Sequence, residues 1–150
     1  MSYDEYKELV REYWETDSIK RRDEIFDKLY DVSVTLCEHT EKIYNTYGQA
    51  FVKDDDYSMD RGGYSLERFD EDKAHLVYSD HWSYGGECCI GISVPMKYLD
   101  VDERMKLKDE LKAKRVAALK SAYQSNLDRI ECIKTENLSI LEKLAKLKIA

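Results

Sequence analysis

From residue 102 to residue 150 the chain contains neither glycine nor proline. One helix through 102–149 would be about 72 Å long at 1.5 Å per residue. A body of about 100 residues is only about 34 Å across, taking a radius of gyration near 13 Å. A helix of that length must protrude, break or find a partner. From Val116 the residues Leu119, Tyr123, Asn126, Ile130, Ile133, Asn137, Ile140, Leu144 and Leu147 follow at alternating steps of three and four. In heptad terms a is Val116, Tyr123, Ile130, Asn137 and Leu144, and d is Leu119, Asn126, Ile133, Ile140 and Leu147. Eight of these ten are apolar, which is a coiled-coil seam, and buried asparagines at such positions trade stability for register and oligomer state. Leu127 and Leu141 at e widen the stripe beyond a two-helix seam. Self-association through these ten residues is the expectation. The competing partner is an N-terminal helix of the same chain, which is shorter and must also cover a sheet.

The N-terminal half carries two helical patterns. Ser2 and Glu5 have capping-box spacing. Tyr6, Leu9, Val10, Tyr13 and Trp14 then fall on one face. After Thr16-Asp17-Ser18 a second helix runs to about Tyr47, with the stripe Ile19, Phe26, Leu29, Val32 or Ser33, Leu36, Thr40, Ile43 and Tyr47, and Gly48 suits its C-terminal cap. These aromatics read as core. From Gln49 to Lys73 the helical period disappears. Ala50 to Val52 and Tyr64 to Phe69 are candidate strands, and Asp60 to Gly63 and Asp70 to Asp72 are turns. The run Asp54-Asp55-Asp56 offers oxygen ligands to a hard cation but lacks the alternating spacing and closing glutamate of a calcium loop, so it reads as a solvated turn.

The stretch His75 to Leu99 holds the second tryptophan, two of the three histidines and the only proline. Cys88, Ile90, Ile92 and Val94 alternate with Cys89, Gly91 and Ser93, which is a strand with one buried face. His75 to Ser79 forms its hairpin partner, Ser79 to Glu87 supplies turn chemistry, and Pro95 ends the second strand. The tip carries Asp80, His81, Trp82 and Tyr84, with Tyr64 as a neighbour. Its aromatics either fold back onto the core or serve as a binding anchor, since aromatics dominate interface hot spots.

The pattern Tyr78-Ser79-Asp80, Trp82, Tyr84-Gly85-Gly86, an apolar strand, Pro95 and Tyr98-Leu99 resembles short hypothetical proteins of tailed phages and prophages. It covers about a quarter of the chain and carries no catalytic signature. The departure is Cys88-Cys89, where small polar or acidic residues are expected. The resemblance implies a phage accessory protein in the host cytoplasm.

The charge is uneven. Residues 102–150 hold 12 Lys and Arg against 8 Asp and Glu, a net +4, while the rest hold 12 against 23, a net −11. The basic run Arg104, Lys106, Lys108, Lys112, Lys114, Arg115 and Lys120 is interrupted by Asp109 and Glu110. Only Lys108, Lys112 and Arg115 share a face, so nucleic acid is the weaker reading. There is no apolar stretch of 18 residues and no signal-peptide pattern in MSYDEYKELV, so neither a membrane nor export is expected. The spacing of Cys37, Cys88, Cys89 and Cys132 reads as reduced thiols in a cytosol.

Catalytic motifs GxxxxGK[ST], GxGxxG, HExxH and GxSxG are absent. His75, His81, Cys88 and Cys89 lack zinc-ligand spacing, so neither a metal nor a cofactor is expected. The expected fold is α+β: a body over 1–101, with two N-terminal helices on a small antiparallel β-meander, and a coiled-coil helix over 102–150. The expected function is a non-enzymatic interaction protein, a homo-oligomer that binds a host protein through Asp80, His81, Trp82 and Tyr84. The alternative is a small-molecule or nucleotide binder or hydrolase, with His75, His81, Lys106 and Lys108 where the hairpin meets the last helix.

Overall fold

A computed structural model of the protein describes residues 1–52, 63–81 and 87–149. Helix α1 spans Tyr3–Glu15 and opens on the capping box: Glu5 N–H donates to Ser2 Oγ at 3.2 Å and Ser2 N–H to Glu5 Oε2 at 2.6 Å. Helix α2 spans Ile19–Thr46, with Ser18 Oγ accepting from Arg21 N–H at 3.3 Å. It stops in a Schellman turn. Gly48 sits at φ 65°, its N–H donates to Asn45 O at 3.1 Å, and Gln49 N–H reaches Tyr44 O at 3.0 Å. Across the bend between the helices, Arg21 grips Glu12 with two bonds, 2.6 and 2.9 Å.

Three strands follow as an antiparallel meander in the order β1-β2-β3: β1 Gly63–Phe69, β2 Lys73–His81 and β3 Glu87–Pro95. The β1–β2 register slips between Leu66 and Arg68, a bulge at Glu67. Asp70 makes their turn, its carboxylate accepting from the N–H groups of Asp72 and Lys73, both at 2.8 Å. Helix α1 holds this turn from outside. Tyr6 O–H donates to Asp70 O at 2.9 Å, Tyr3 O–H to Asp72 Oδ1 at 3.0 Å, and Arg11 makes two 3.0 Å bonds to Glu71. A 3₁₀ turn, Met96–Leu99, leads into helix α3, Val101–Ile149. Arg104 ties that junction by donating to the carbonyls of Tyr98 and Leu99 at 2.8 and 2.9 Å.

The core lies between the helices and one sheet face. Ala74, Leu76 and Tyr78 of β2 and Ile90, Ile92 and Val94 of β3 are buried in alternation, with Cys89, Gly91 and Ser93 exposed opposite. They meet Tyr6 and Val10 of α1 and Ile25, Leu29, Leu36 and Cys37 of α2. The inner stripe of α2 starts at Ile25; Ile19 is 76 % exposed, because the chain has barely left the bend there. Trp14 is also mostly exposed, yet its ring lies 5.1 Å from Tyr13 and 5.9 Å from Phe69, a small aromatic cluster at the body's edge. Ala50 to Val52 form no strand; Phe51 instead packs its ring 5.1 Å from Tyr44.

The chain divides into two compact units, Met1–Leu111 and Lys112–Ala150. Leu107 and Leu111, in the first part of α3, are the last buried side chains of the first unit. In the second unit every described side chain, 112–148, is exposed.

Candidate functional site

The expected hairpin contact falls largely on residues that are not described. Asp80 and His81 end β2, in register with Cys88 and Glu87, while Trp82 and Tyr84 lie outside the described residues. Tyr64 belongs to the body: its ring packs edge-on against Tyr78 at 5.1 Å, and its carbonyl accepts from Tyr30 O–H at 2.9 Å. The acidic run Asp54-Asp55-Asp56 also lies outside the described residues.

Of the residues expected at the alternative site, His75, Lys106 and Lys108 are described, while the side chain of His81 is not. A cleft of about 500 Å³ lies between α2 and the start of α3, lined by Val32, Leu36, His39, Lys42, Arg104 and Lys108 among others. Lys108 is there, but His75 and Lys106 are not among its lining residues. Burial of Ala74 and Leu76 turns His75 to the other sheet face, and Lys106 pairs with Glu103 at 2.6 Å, which holds the Glu103 carboxyl below its usual range. The guanidinium of Arg104 is spent on the Tyr98 and Leu99 carbonyls.

No metal centre forms from the histidine and cysteine candidates that are described. Ser79 and Cys89 are partners in register, with side chains 3.4 Å apart, whereas His75 faces Ser93 four residues along. At about 3.3 Å per residue that puts His75 some 13 Å from Cys89. Among the described residues no group of three or more His, Cys, Asp or Glu side chains could hold a metal ion. Cys37 is buried, and loss of solvent pushes its thiol up to about 12, the wrong direction for a nucleophile. No helix among the described residues is long and apolar enough to cross a membrane.

The heptad face of α3 stands out instead. Its eight apolar seam residues are between 43 and 74 % exposed: Val116, Leu119, Tyr123, Ile130, Ile133, Ile140, Leu144 and Leu147. Asn126 and Asn137 interrupt the row and are exposed as well. Leu127, Leu138 and Leu141 add 40, 62 and 60 % exposed surface beside it. Scattered surface leucines are ordinary, whereas these exposed side chains follow one another in a single row along the helix. The charges beside the seam are one-sided: heptad positions e and g hold Arg115, Lys120, Arg129, Lys134, Lys143 and Lys148, against Glu136 alone. The negative residues Asp128, Glu131 and Glu142 sit at b and f, away from the seam.

Comparison with protein-family profiles, with curated proteins and with solved structures returned no match.

Proposed function

We propose that the chain is a non-enzymatic interaction protein whose principal contact surface is the heptad face of α3. The observation that carries this is the row of ten exposed seam positions from Val116 to Leu147 on an uninterrupted helix. Burying an aliphatic side chain is worth roughly 1.5–3 kcal/mol, so covering eight of them releases on the order of 10 kcal/mol before the costs of association. The accompanying helix comes from a second copy or from another protein. The phage-protein resemblance makes a bacterial host protein the natural target, and the 75–99 hairpin tip a secondary contact.

The test is affinity capture from host extract with the full chain and with an Ile130→Ser/Ile133→Ser variant, alongside solution mass by light scattering. Both residues are about half exposed, so the variant leaves the body intact. Loss of a captured partner, or of self-association, in the variant supports the proposal. Identical capture and identical mass for the two chains refute it. Parallel capture with Trp82→Ala reads the hairpin contribution.

A further inference from the structure

The flanks of the seam say which helix covers it. In coiled coils the e and g residues of one helix meet those of the next and set the choice of partner. In a parallel pair of identical chains, Arg115 meets Lys120, Arg129 meets Lys134, and Lys143 meets Lys148, each twice by symmetry. Turning one copy antiparallel, with Asn126 opposite Asn137, keeps all ten seam positions in register. It then sets Arg115 against Lys143 and Lys120 against Lys148, each twice, and Arg129 and Lys134 each against its own copy. Both orientations therefore give six cation–cation contacts. Glu136 faces Leu141 in the first; in the second it stands level with residue 127 of the other copy, two residues from Arg129, and relieves that one cation, while each helix still carries six flank cations against one carboxylate. Among the described residues one flank cation has a carboxylate partner on its own helix, Lys134, 3.9 Å from Glu131. A second copy brings a net flank charge of +5 against +5 in either orientation, whereas acidic flanks would meet attraction at the six cations.

We propose that the 116–147 face of α3 docks an amphipathic helix of a different protein. That helix has an apolar a/d row, polar core residues opposite Asn126 and Asn137, and glutamate or aspartate at its own e and g positions. This rests on the interaction reading given above and names the partner's chemistry.

A synthetic probe tests it with the full chain. The probe is a five-heptad peptide of 35 residues with Ile and Leu at a and d, Asn at the second d and the fourth a, and Glu at every e and g. Because the two asparagine layers of α3 exchange places when a partner is reversed, one probe matches either orientation. Its control carries Lys at every e and g. Labelled peptide is titrated with the protein by fluorescence anisotropy, with light scattering on the protein alone. The expected result is a chain that stays monomeric in low salt and binds the acidic probe at least 30-fold more tightly than the basic one. That ratio corresponds to about 2 kcal/mol at 1.4 kcal/mol per tenfold. The preference shrinks toward 1 M salt, where the screening length is about 3 Å. Arg129→Glu with Lys134→Glu, both on the exposed helix, narrows the preference.

A chain that self-associates in low salt and binds neither probe overturns this inference, because the seam is then filled by a second copy, while the interaction reading stands. Equal affinity for both probes also overturns it. A monomer that binds neither probe, with its helicity intact, overturns both.

Discussion

Ser33 lies on the inner stripe of α2, fully buried, one turn from Leu29 and one from Cys37. Its Oγ has no hydrogen-bond partner among the described residues. Two turns on, Thr40 is also buried, but its hydroxyl donates to Leu36 O at 2.7 Å. Ser33→Ala removes a group that lost its water on folding and gained nothing in exchange. An unsatisfied buried hydroxyl costs about 1–3 kcal/mol. Alanine adds up to roughly 0.5 kcal/mol of helix propensity. The void left by one oxygen takes back about 0.3 kcal/mol at roughly 24 cal/mol per Å³. The expected outcome is a gain of about 1–3 kcal/mol, a rise of several degrees or more in Tm at about 4 °C or more per kcal/mol for a body of this size. Thr40→Ala should move the other way, by about 1–2 kcal/mol, because it loses a satisfied hydroxyl and a buried methyl. Urea titration followed by tryptophan fluorescence is the assay, since Trp14 packs on Tyr13 and Phe69 in the first unit. A loss of 1 kcal/mol or more in Ser33→Ala, at unchanged m, would mean that the hydroxyl is satisfied and the reasoning fails.

Gly48→Ala forces a side chain into the left-handed region at φ 65° and should cost about 1–2 kcal/mol, read as a lower urea midpoint at constant m. Cys37 should resist a thiol reagent at pH 8 in the folded protein and react only on unfolding, while exposed Cys132 reacts at once; rapid modification of Cys37 would contradict its burial. Because the folded thiol keeps its proton up to about 12, and the unfolded one releases it near 9, stability falls across that window by at most about 1.4 kcal/mol per pH unit. Cys37→Val should flatten that slope, whereas an unchanged slope would leave the alkaline loss to Tyr6, which burial also pushes up. Glu12 runs the opposite way: the bond from Arg21 lowers its carboxyl, so the pair stabilises above the ordinary carboxylate range and its contribution disappears as acid protonates Glu12. Glu12→Gln should therefore be less stable than the parent at pH 7 and equal to it in acid, and a gap that persists in acid would point to packing instead. Asn137→Leu adds an apolar layer without touching the flanks. Light scattering should find it monomeric in low salt and associating in 1 M salt; a firm low-salt dimer would show that flank repulsion does not govern the seam.

Local signals in the sequence foretold the elements. Ser2 with Glu5, Ser18 and Gly48 mark helix ends because capping is settled within a few residues, and the alternation from Cys88 to Val94 marks β3. What the sequence left open depends on distant partners. The Asp70-Glu71-Asp72 turn is held by Tyr3, Tyr6 and Arg11, more than 55 residues away, and nothing in its composition announces that clamp. The same limit explains Ile19: a stripe read by spacing counts it as core, but the bend after α1 lifts it from the sheet and lets Ile25 begin the buried row.

The seam of α3 shows the limit in a different form. Its a and d residues define which side of the helix is apolar, and eight apolar side chains suit any amphipathic helix, a second copy included. Their periodicity therefore cannot rank partners. That information sits one residue further out, in Arg115, Lys120, Arg129, Lys134, Lys143 and Lys148. Each exposed charge contact is worth only a few tenths of a kcal/mol, far below the apolar term, yet the apolar term is nearly common to all candidates. Six such contacts change sign between a basic and an acidic partner, so under the proposal the small term selects the helix while the large one supplies the affinity.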